Sequence, residues 1–254
     1  MSAAAPRPAA GRGRTAVGLL AALLLAAPAG AACRQGLILA LDVSASVNAA
    51  EYRLQAEGTA AALLSPAVRD ILLDPAEPPV ALAAFLWSGP DAQTLILPWR
   101  LIDGPEALAA AAARIAGAPR PPVDGSTAVG AAMLFAEALF AAAPGCPVLT
   151  LDISGDGENN AGPAPQAVRL RPGLAGVTIN ALAVKGDLPL DHGDFATHVG
   201  ALSAWFAAHV IHGPGAFVER AWDYTDFEAA MTRKLLRELA PPLLGGLPRA
   251  APPG

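Results

Sequence analysis

Lysine and arginine form no cluster with interleaved aromatic residues anywhere in the sequence, so the pattern that follows a nucleic-acid backbone is missing. Charged residues make up only 15% of the 254 residues, and the net charge of -5 is mildly acidic. We therefore expect no nucleic-acid partner. Beyond residue 32 no apolar run approaches the roughly 20 residues that a membrane-spanning helix needs, so no membrane span is expected there.

The sequence also lacks an internal repeat and a linker-like segment in its middle. Hydrophobic residues make up 54% of the chain, which is ample material for a buried core and argues against global disorder. We predict one compact domain over residues 32–240. Residues 241–254 are rich in proline and glycine and are predicted to form a flexible tail.

The N-terminal segment has the composition of a secretory signal peptide. Three arginines precede an apolar run from Ala16 to Ala27, and small residues at 28–32 offer a cleavage site. The apolar run is too short for a transmembrane anchor, so we predict a signal peptide over residues 1–31 and a secreted or periplasmic protein. A lipoprotein with acylated Cys33 is the alternative, although Gly30 stands where leucine is usual.

Apolar runs and helical patterns alternate along the rest of the chain. A continuous apolar run from Gly36 to Leu41 ends in Asp42, as expected for a parallel strand covered on both faces. Asn48 and Glu51 form a capping-box pattern at the start of the following helix. Strands are predicted at 36–41, 80–85, 94–97, 148–153, 177–184 and 216–219, and helices at 49–64, 105–116, 127–143, 166–171, 198–209 and 226–239. The alternation predicts an α/β three-layer sandwich, with a mostly parallel central sheet and helices on both faces.

Polar residues stand at alternate positions where the first predicted strand ends: Asp42, Ser44 and Ser46. The carboxyl edge of an open α/β sheet is where ligands bind, and carboxylate and hydroxyl oxygens suit a hard cation such as Mg²⁺. Alone the pattern is weak evidence, because serine and aspartate are common in turns and helix caps. Two further segments place an oxygen at the same edge: Thr127 starts a predicted helix, and Asp156 follows a buried strand.

In order and spacing these residues resemble the metal-ion-dependent adhesion site of the von Willebrand factor A family, and the resemblance covers essentially all of the chain after residue 31. It implies a metal shell of Asp42, Ser44, Ser46, Thr127 and Asp156 around Mg²⁺, or around Mn²⁺ or Ca²⁺. An open coordination position would take an acidic group of a protein partner. The resemblance also implies that the first and fourth major strands lie side by side. The expected function is metal-dependent protein binding without catalysis.

Within that superfamily the chain is similar to a bacterial secreted group without an assigned function. This closer likeness rests on residues 41–47, 87–89, 98–99, 155–160, 213–218 and 234–239. One departure concerns the third segment, where an apolar residue, Thr, Asp and Gly are usual and this chain has Ile153-Ser154-Gly155-Asp156-Gly157. The additional glycine leaves Asp152 as an alternative ligand to Asp156.

The two cysteines, Cys33 and Cys146, lie nine residues before Asp42 and ten before Asp156. If the first and fourth strands are parallel neighbours, as the resemblance implies, the cysteines meet at the opposite edge of the sheet. The spacing of neighbouring strands is within the roughly 7 Å Cα separation that a disulfide requires, and export favours its formation. We predict a Cys33–Cys146 disulfide; unlinked thiols, or acylated Cys33 with buried Cys146, are the alternatives.

The main enzymatic alternative is a haloacid dehalogenase-like phosphatase, with Asp42 as nucleophile and Lys185 and Asp156 as further site residues. That chemistry expects a second aspartate where Ser44 stands, and a lysine before the acidic loop instead of after it. A structural domain with a vestigial metal site is a third interpretation. It would bind neither metal nor partner.

Other polar residues are expected to be structural. The four histidines, at 192, 198, 209 and 212, have no cysteine or acidic partner at a metal-ligand spacing, so we predict surface or capping roles for them. The last predicted helix is expected to be capped by Asp226 or Thr225, and its leucines are expected to face the core. Lys234, Arg237 and Glu238 are predicted to lie on its solvated side.

Overall fold

The computed structural model describes Met1 and residues 33–122, 125–184 and 195–240, without the side chains of residues 195–199. The chain divides into two units, residues 1–30 and residues 31–254, and the second unit forms the fold below. Apart from Met1, the predicted signal peptide lies outside the described residues, as does the predicted tail at 241–254.

Six strands form one sheet in the described part of the chain, and helices flank it. The strands are β1 (Gln35–Asp42), β2 (Val80–Trp87), β3 (Gln93–Ile102), β4 (Val148–Gly155), β5 (Val177–Val184) and β6 (Val218–Ala221). The helices are α1 (Ala49–Leu64), α2 (Pro66–Leu72), α3 (Pro105–Ala116), α4 (Val129–Phe140), α5 (Pro165–Val168), α6 (Phe195–His209) and α7 (Phe227–Leu239). The strand order is β3-β2-β1-β4-β5-β6, and every neighbouring pair is parallel except the hairpin β2–β3. The predicted α/β sheet, with the first and fourth strands side by side, is confirmed.

Both faces of the sheet are covered, because its central strands are apolar at nearly every position. All residues of β1 and β2 are buried, which is the pattern of parallel strands between two helical layers. Alternate side chains of a strand point to opposite faces. Leu37, Leu39 and Leu41 therefore pack with residues of α1, α2, α3 and α7. Ile38 and Ala40 pack on the other face with residues of α4 and α6.

The start of α1 confirms the predicted capping box. Asn48 Oδ1 accepts hydrogen bonds from the N–H groups of Ala50 and Glu51, and the Glu51 carboxylate accepts one from Asn48 N–H at 2.7 Å. The sequence prediction has no counterpart of α2, because its seven residues are too few to establish a helical period. The helix predicted from residue 127 begins at Val129, so Thr127 precedes it.

Helix α7 corrects two predictions. Its start is not capped by the side chain of Thr225 or Asp226; instead Asp223 Oδ1 accepts hydrogen bonds from both of their N–H groups, at 2.7 and 3.0 Å. The solvated face predicted for Lys234 and Glu238 is also wrong, since both side chains are fully buried. Lys234 Nζ lies 2.8 Å from Asp152 Oδ1 on β4, and a carboxylate buried in a strand requires such a cation.

The two cysteines form the predicted disulfide, with their Cα atoms 5.0 Å apart. It joins the residues before β1 to those before β4, at the edge of the sheet where the parallel strands begin. Cys33 is fully buried and packs with Ala81 of β2. Because the Cys33 sulfur is part of this bond, the alternative of an acylated Cys33 is inconsistent with the structure. A disulfide fits a protein that folds in an oxidising compartment.

Candidate metal centre

Asp42 is the last residue of β1, and its side chain is completely buried. The chain turns immediately after it, so Asp42 Oδ1 accepts a hydrogen bond from Ser44 N–H at 2.7 Å. Gln55 of α1 holds the same residue from the other side, because its Nε2 donates to the Asp42 carbonyl at 2.7 Å. A strand end, a turn and a helix together fix the position of this carboxylate.

Ser44 and Ser46 continue the site from Asp42 toward solvent. Their hydroxyl oxygens lie 3.2 Å apart at hydrogen-bonding distance. Ser46 Oγ also donates to Asp156 Oδ1 at 2.5 Å, which links the loop after β1 to the loop after β4. Ser44 is fully buried, whereas Ser46 is exposed. One side of the cluster is therefore open to a molecule in solution.

Gly155 explains the unusual third segment. A Cβ atom at this position would lie 3.2 Å from Asp42 Oδ2 and 3.3 Å from the Phe206 ring, closer than most such contacts allow. Glycine at the end of β4 thus leaves room for the Asp42 carboxylate, and the next residue, Asp156, reaches Ser46. Asp152, the alternative ligand, lies three residues before Gly155 on β4. It is paired with Lys234, away from this cluster.

Thr127 lies beside the loop that follows Asp156. Its backbone N–H donates to Asn160 Oδ1 at 2.8 Å, and its carbonyl accepts from Asn160 N–H at 2.9 Å. Asn159 Oδ1 accepts from Gly130 N–H in the first turn of α4. A Cβ atom at Gly157 would lie 3.8 Å from Thr127 Oγ1, so the buried threonine hydroxyl faces the residue after Asp156.

The two carboxylates are poorly neutralised by their surroundings. Burial, and then the charge of Asp156, raise the pKa of Asp42 to about 7. Burial also raises the pKa of Asp156, with a smaller contribution in the same direction from Glu51. Asp42 Oδ2 and Asp156 Oδ2 are both buried and have no hydrogen-bond donor among the described groups. Two oxygen atoms with unused acceptor capacity therefore lie next to two serine hydroxyls.

Comparison with protein families identifies a match over residues 32–243, and the matching family is described as "Protein of unknown function (DUF1194)". The chain belongs to this family. No significant match was found among curated proteins.

Solved structures show what kind of fold this DUF1194 member has. Proximal thread matrix protein 1 from the mussel byssus superposes with a TM-score of 0.56 at 16% identity, covering 82% of this chain and 48% of that one. The same mussel protein with a zinc-occupied MIDAS motif gives a TM-score of 0.55 at 17% identity, with the same coverage. A von Willebrand factor type A structure from Catenulispora acidiphila gives 0.48 at 16%, covering 82% and 42%. The strand order, together with the likeness to the mussel protein, shows a fold of the von Willebrand factor A type. The chain spans about half the length of the structures named above.

Three residues for which the sequence predicted no role also surround the candidate metal centre of this DUF1194 domain. The Arg120 guanidinium donates to the Val47 and Ser44 carbonyls and so fastens the turn between β1 and α1. Gln55 bridges Asp42 to β4, because its Oε1 accepts from Ser154 Oγ at 3.1 Å. Tyr224, before α7, is buried against the carboxylates. No short sequence pattern connects these positions, so only the folded chain identifies them.

The histidines contribute no recognisable metal cluster in the part of the chain that the structure describes. His209 stacks on Trp205, with 5.2 Å between ring centroids, and its Nδ1 donates a hydrogen bond to the Trp205 carbonyl at 3.0 Å. His192 and the side chain of His198 lie outside the described residues. None of the described helices is long and apolar enough to span a membrane.

The raised pKa of Asp42 predicts that the metal-free protein loses stability as pH rises. A carboxyl whose folded pKa lies above its unfolded value stabilises the fold fully at low pH, and this contribution is lost between about pH 4 and pH 7. One proton corresponds to roughly 1.4 kcal/mol per pH unit, so we expect a loss of about 2 kcal/mol between about pH 5 and pH 7 in denaturant titrations with chelator. Glu238, whose pKa burial also raises to about 7, adds to the slope. Asp42→Asn should flatten the profile; an unchanged slope in that variant would assign the effect to other groups.

Proposed function

We propose that this protein is a secreted binding module that holds a divalent cation at Asp42, Ser44, Ser46, Thr127 and Asp156 and presents it to a carboxylate of a protein partner. The observation that carries the proposal is the pair of buried carboxylate oxygens, Asp42 Oδ2 and Asp156 Oδ2, that lack hydrogen-bond donors. Such atoms are costly to bury unless a cation or a proton neutralises them. The residues present therefore fit a metal ion.

The donor set favours a hard cation. All five residues offer oxygen, and no described cysteine or histidine accompanies them, so Mg²⁺ suits the site better than a thiolate-preferring metal. Mn²⁺ and Ca²⁺ share this preference for oxygen. The mussel protein whose structure has zinc in its MIDAS motif supports a divalent ion at this place in the fold.

Charge and exposure support a docking role. The two aspartates do no more than balance the charge of a divalent ion, and the serine and threonine hydroxyls are neutral, so the centre has no excess negative charge that would repel one more anionic ligand at an open position of the cation. Ser46 is on the exposed side of the cluster, which gives an incoming carboxylate a route to the ion. Asp42 and Asp156 position the cation, and Ser44 and Ser46 line the opening. The partner's acidic side chain would occupy that opening.

Export is part of the proposal. Residues 1–31 have the composition of a signal peptide, and the disulfide suits an oxidising compartment such as the periplasm or the exterior of the cell. We also propose domain boundaries at 32–240, after the signal peptide and before the tail at 241–254, which is rich in proline and glycine. A docking module in such a compartment meets protein partners, and nothing in its charge pattern favours nucleic acid.

Metal binding should raise the thermal stability of the purified protein. A ligand that binds only the folded state at 100 times its Kd stabilises by about 2.7 kcal/mol, so saturating Mg²⁺ or Mn²⁺ should raise the Tm by several degrees. Asp42→Ala should abolish this increment, because it removes a central carboxylate. Asp91→Asn, which removes an exposed acid outside the cluster, is the control and should keep it. An equal Tm with metal and with chelator in the wild type would contradict the proposal and favour a vestigial site.

A hydrolysis assay of the purified protein distinguishes the binding function from the phosphatase alternative. We expect no Mg²⁺-dependent hydrolysis of phosphate esters, because Ser44 occupies the position of the required second aspartate. Lys185, the other residue of that alternative, lies outside the described residues. Turnover that disappears in Asp42→Asn would establish the enzyme instead. Capture of a protein from periplasmic extract with Mg²⁺, but not with chelator or with Asp42→Ala, would support docking.

A further inference from the structure

Tyr224 belongs to the short connection between β6 and α7, at the same edge of the sheet as the proposed cation. It is only 4% exposed. The connection is held by Asp223, whose Oδ1 accepts hydrogen bonds from both the N–H and the hydroxyl of Thr225. The Tyr224 ring lies nearly parallel to the ring of fully buried Phe227, at 12° and 6.3 Å between centroids. Backbone and ring contacts therefore fix the direction of the phenol.

The hydroxyl of Tyr224 is placed among carboxylates. Its nearest charged groups are Asp156, Asp42 and Glu51, and a phenol, whose ordinary pKa is about 10, is a hydrogen-bond donor at neutral pH. The hydroxyl lies against Asp156, yet no acceptor of standard geometry is present among the described residues. Asp156 Oδ2 is likewise buried without a donor. A protonated donor and an unused acceptor thus lie side by side.

We propose that Tyr224 is a positioning residue of the metal centre, whose hydroxyl donates a hydrogen bond to the Asp156 carboxylate when a divalent cation is bound. This inference rests on the proposed metal function. Asp156 Oδ1 already accepts from Ser46, and Oδ2 has two lone pairs, so it can accept from Tyr224 and still bind the ion. The two donors would then hold the carboxyl plane in one orientation. A neutral donor also draws negative charge away from the ion without adding a competing ligand. The cation then retains more affinity for the partner's carboxylate.

Tyr224→Phe is the direct test, because it removes only the hydroxyl and preserves the ring that stacks on Phe227. Loss of such an outer hydrogen bond typically weakens metal affinity 10- to 100-fold, so we expect Kd for Mn²⁺, measured by calorimetry or by electron paramagnetic resonance, to rise by at least about 10-fold. The Tm in chelator should not fall, since the hydroxyl makes no standard hydrogen bond without metal.

Tyr52→Phe is the matched control. The chain has only two tyrosines, and the Tyr52 hydroxyl donates to the Ala118 carbonyl at 2.6 Å, away from the carboxylates. This variant should have a lower Tm in chelator and an unchanged Kd for Mn²⁺. A purely structural role of Tyr224 would produce the same result as Tyr52→Phe.

Spectroscopy of the wild type separates failure of this inference from failure of the proposed function. With tyrosine labelled at Cζ, two carbon resonances are expected, and Mg²⁺ should shift the resonance that Tyr224→Phe eliminates while the other stays in place. If Mg²⁺ binds the wild type but neither shifts that resonance nor binds Tyr224→Phe more weakly, the positioning role is overturned. If the wild type does not bind Mg²⁺ or Mn²⁺ at all, the proposed metal function fails, and the role of Tyr224 fails with it.

Discussion

Replacing Lys234 with methionine is expected to lower the free energy of unfolding by about 3 to 5 kcal/mol near neutral pH. Lys234 Nζ pairs with Asp152 Oδ1 at 2.8 Å and with Glu238 Oε1, and all three side chains are at most 1% exposed. Methionine preserves most of the volume but removes the only ammonium of this triad. Two buried carboxylates would then have no cation, which is the costly way to disrupt a buried ion pair.

The loss should depend on pH in a defined direction. Burial, and then the charge of Asp152, already raise the pKa of Glu238 to about 7 in the wild type, and burial raises the pKa of Asp152. Without the lysine both pKa values should rise further, so both carboxyls can take up protons in acid. Because these folded pKa values exceed the unfolded ones, the variant should be closest to wild type at about pH 5 and weakest above pH 7.

Arg237→Met is the control for Lys234→Met, because it removes a cation three residues further along the same helix. Arg237 is exposed and stacks over the Phe217 ring at 3.8 Å, a contact that contributes about 0.5 to 1 kcal/mol. Urea or guanidinium titrations of the two variants give the comparison. Equal losses would show that the buried triad has no special energetic importance. A further variant, Lys234→Met with Asp152→Asn and Glu238→Gln, should recover most of the stability.

The first segment of the proposed metal centre could be predicted from the sequence because its geometry is local. Asp42, Ser44 and Ser46 lie within five residues at the end of a buried strand, and the strand, the turn and the capping box at Asn48 all have short-range signals. The resemblance to the von Willebrand factor A family implied that the first and fourth strands are neighbours, and the disulfide followed from it, since parallel neighbours fix which ends of two strands meet.

The partners of α7 could not be predicted in the same way. Lys234 and Glu238 are typical surface residues, and the amphipathic pattern of the helix places them outside by the usual preference of charged groups for water. The informative residue was Asp152, a carboxylate in the buried part of a strand, which indicates a buried cation without identifying it. Tyr224 is a similar case, because its contact with Asp156 joins residues that no local pattern connects.

Replacing both Cys33 and Cys146 with alanine is expected to lower the free energy of unfolding by about 2 to 5 kcal/mol, measured by guanidinium titration. The bond joins residues 113 apart, and for a loop of roughly 100 residues the chain-entropy model gives nearly 5 kcal/mol. The slope of unfolding against denaturant should also rise, because the unlinked chain expands further when it unfolds. Wild type treated with reductant is the control that retains both sulfur atoms and should lose a similar amount.

The same double variant tests whether the two edges of the sheet act independently. The disulfide lies where the parallel strands begin, and the proposed cation lies where they end, with the full length of β1 and β4 between them. Changes at distant sites without shared partners usually have additive effects, so Mg²⁺ should stabilise the double variant and the wild type by the same increment. A smaller increment would show that the disulfide also sets the register of β1 against β4, and thereby the distance between Asp42 and Asp156. A loss of stability below about 1 kcal/mol would instead show that the unfolded chain is already restricted without the bond.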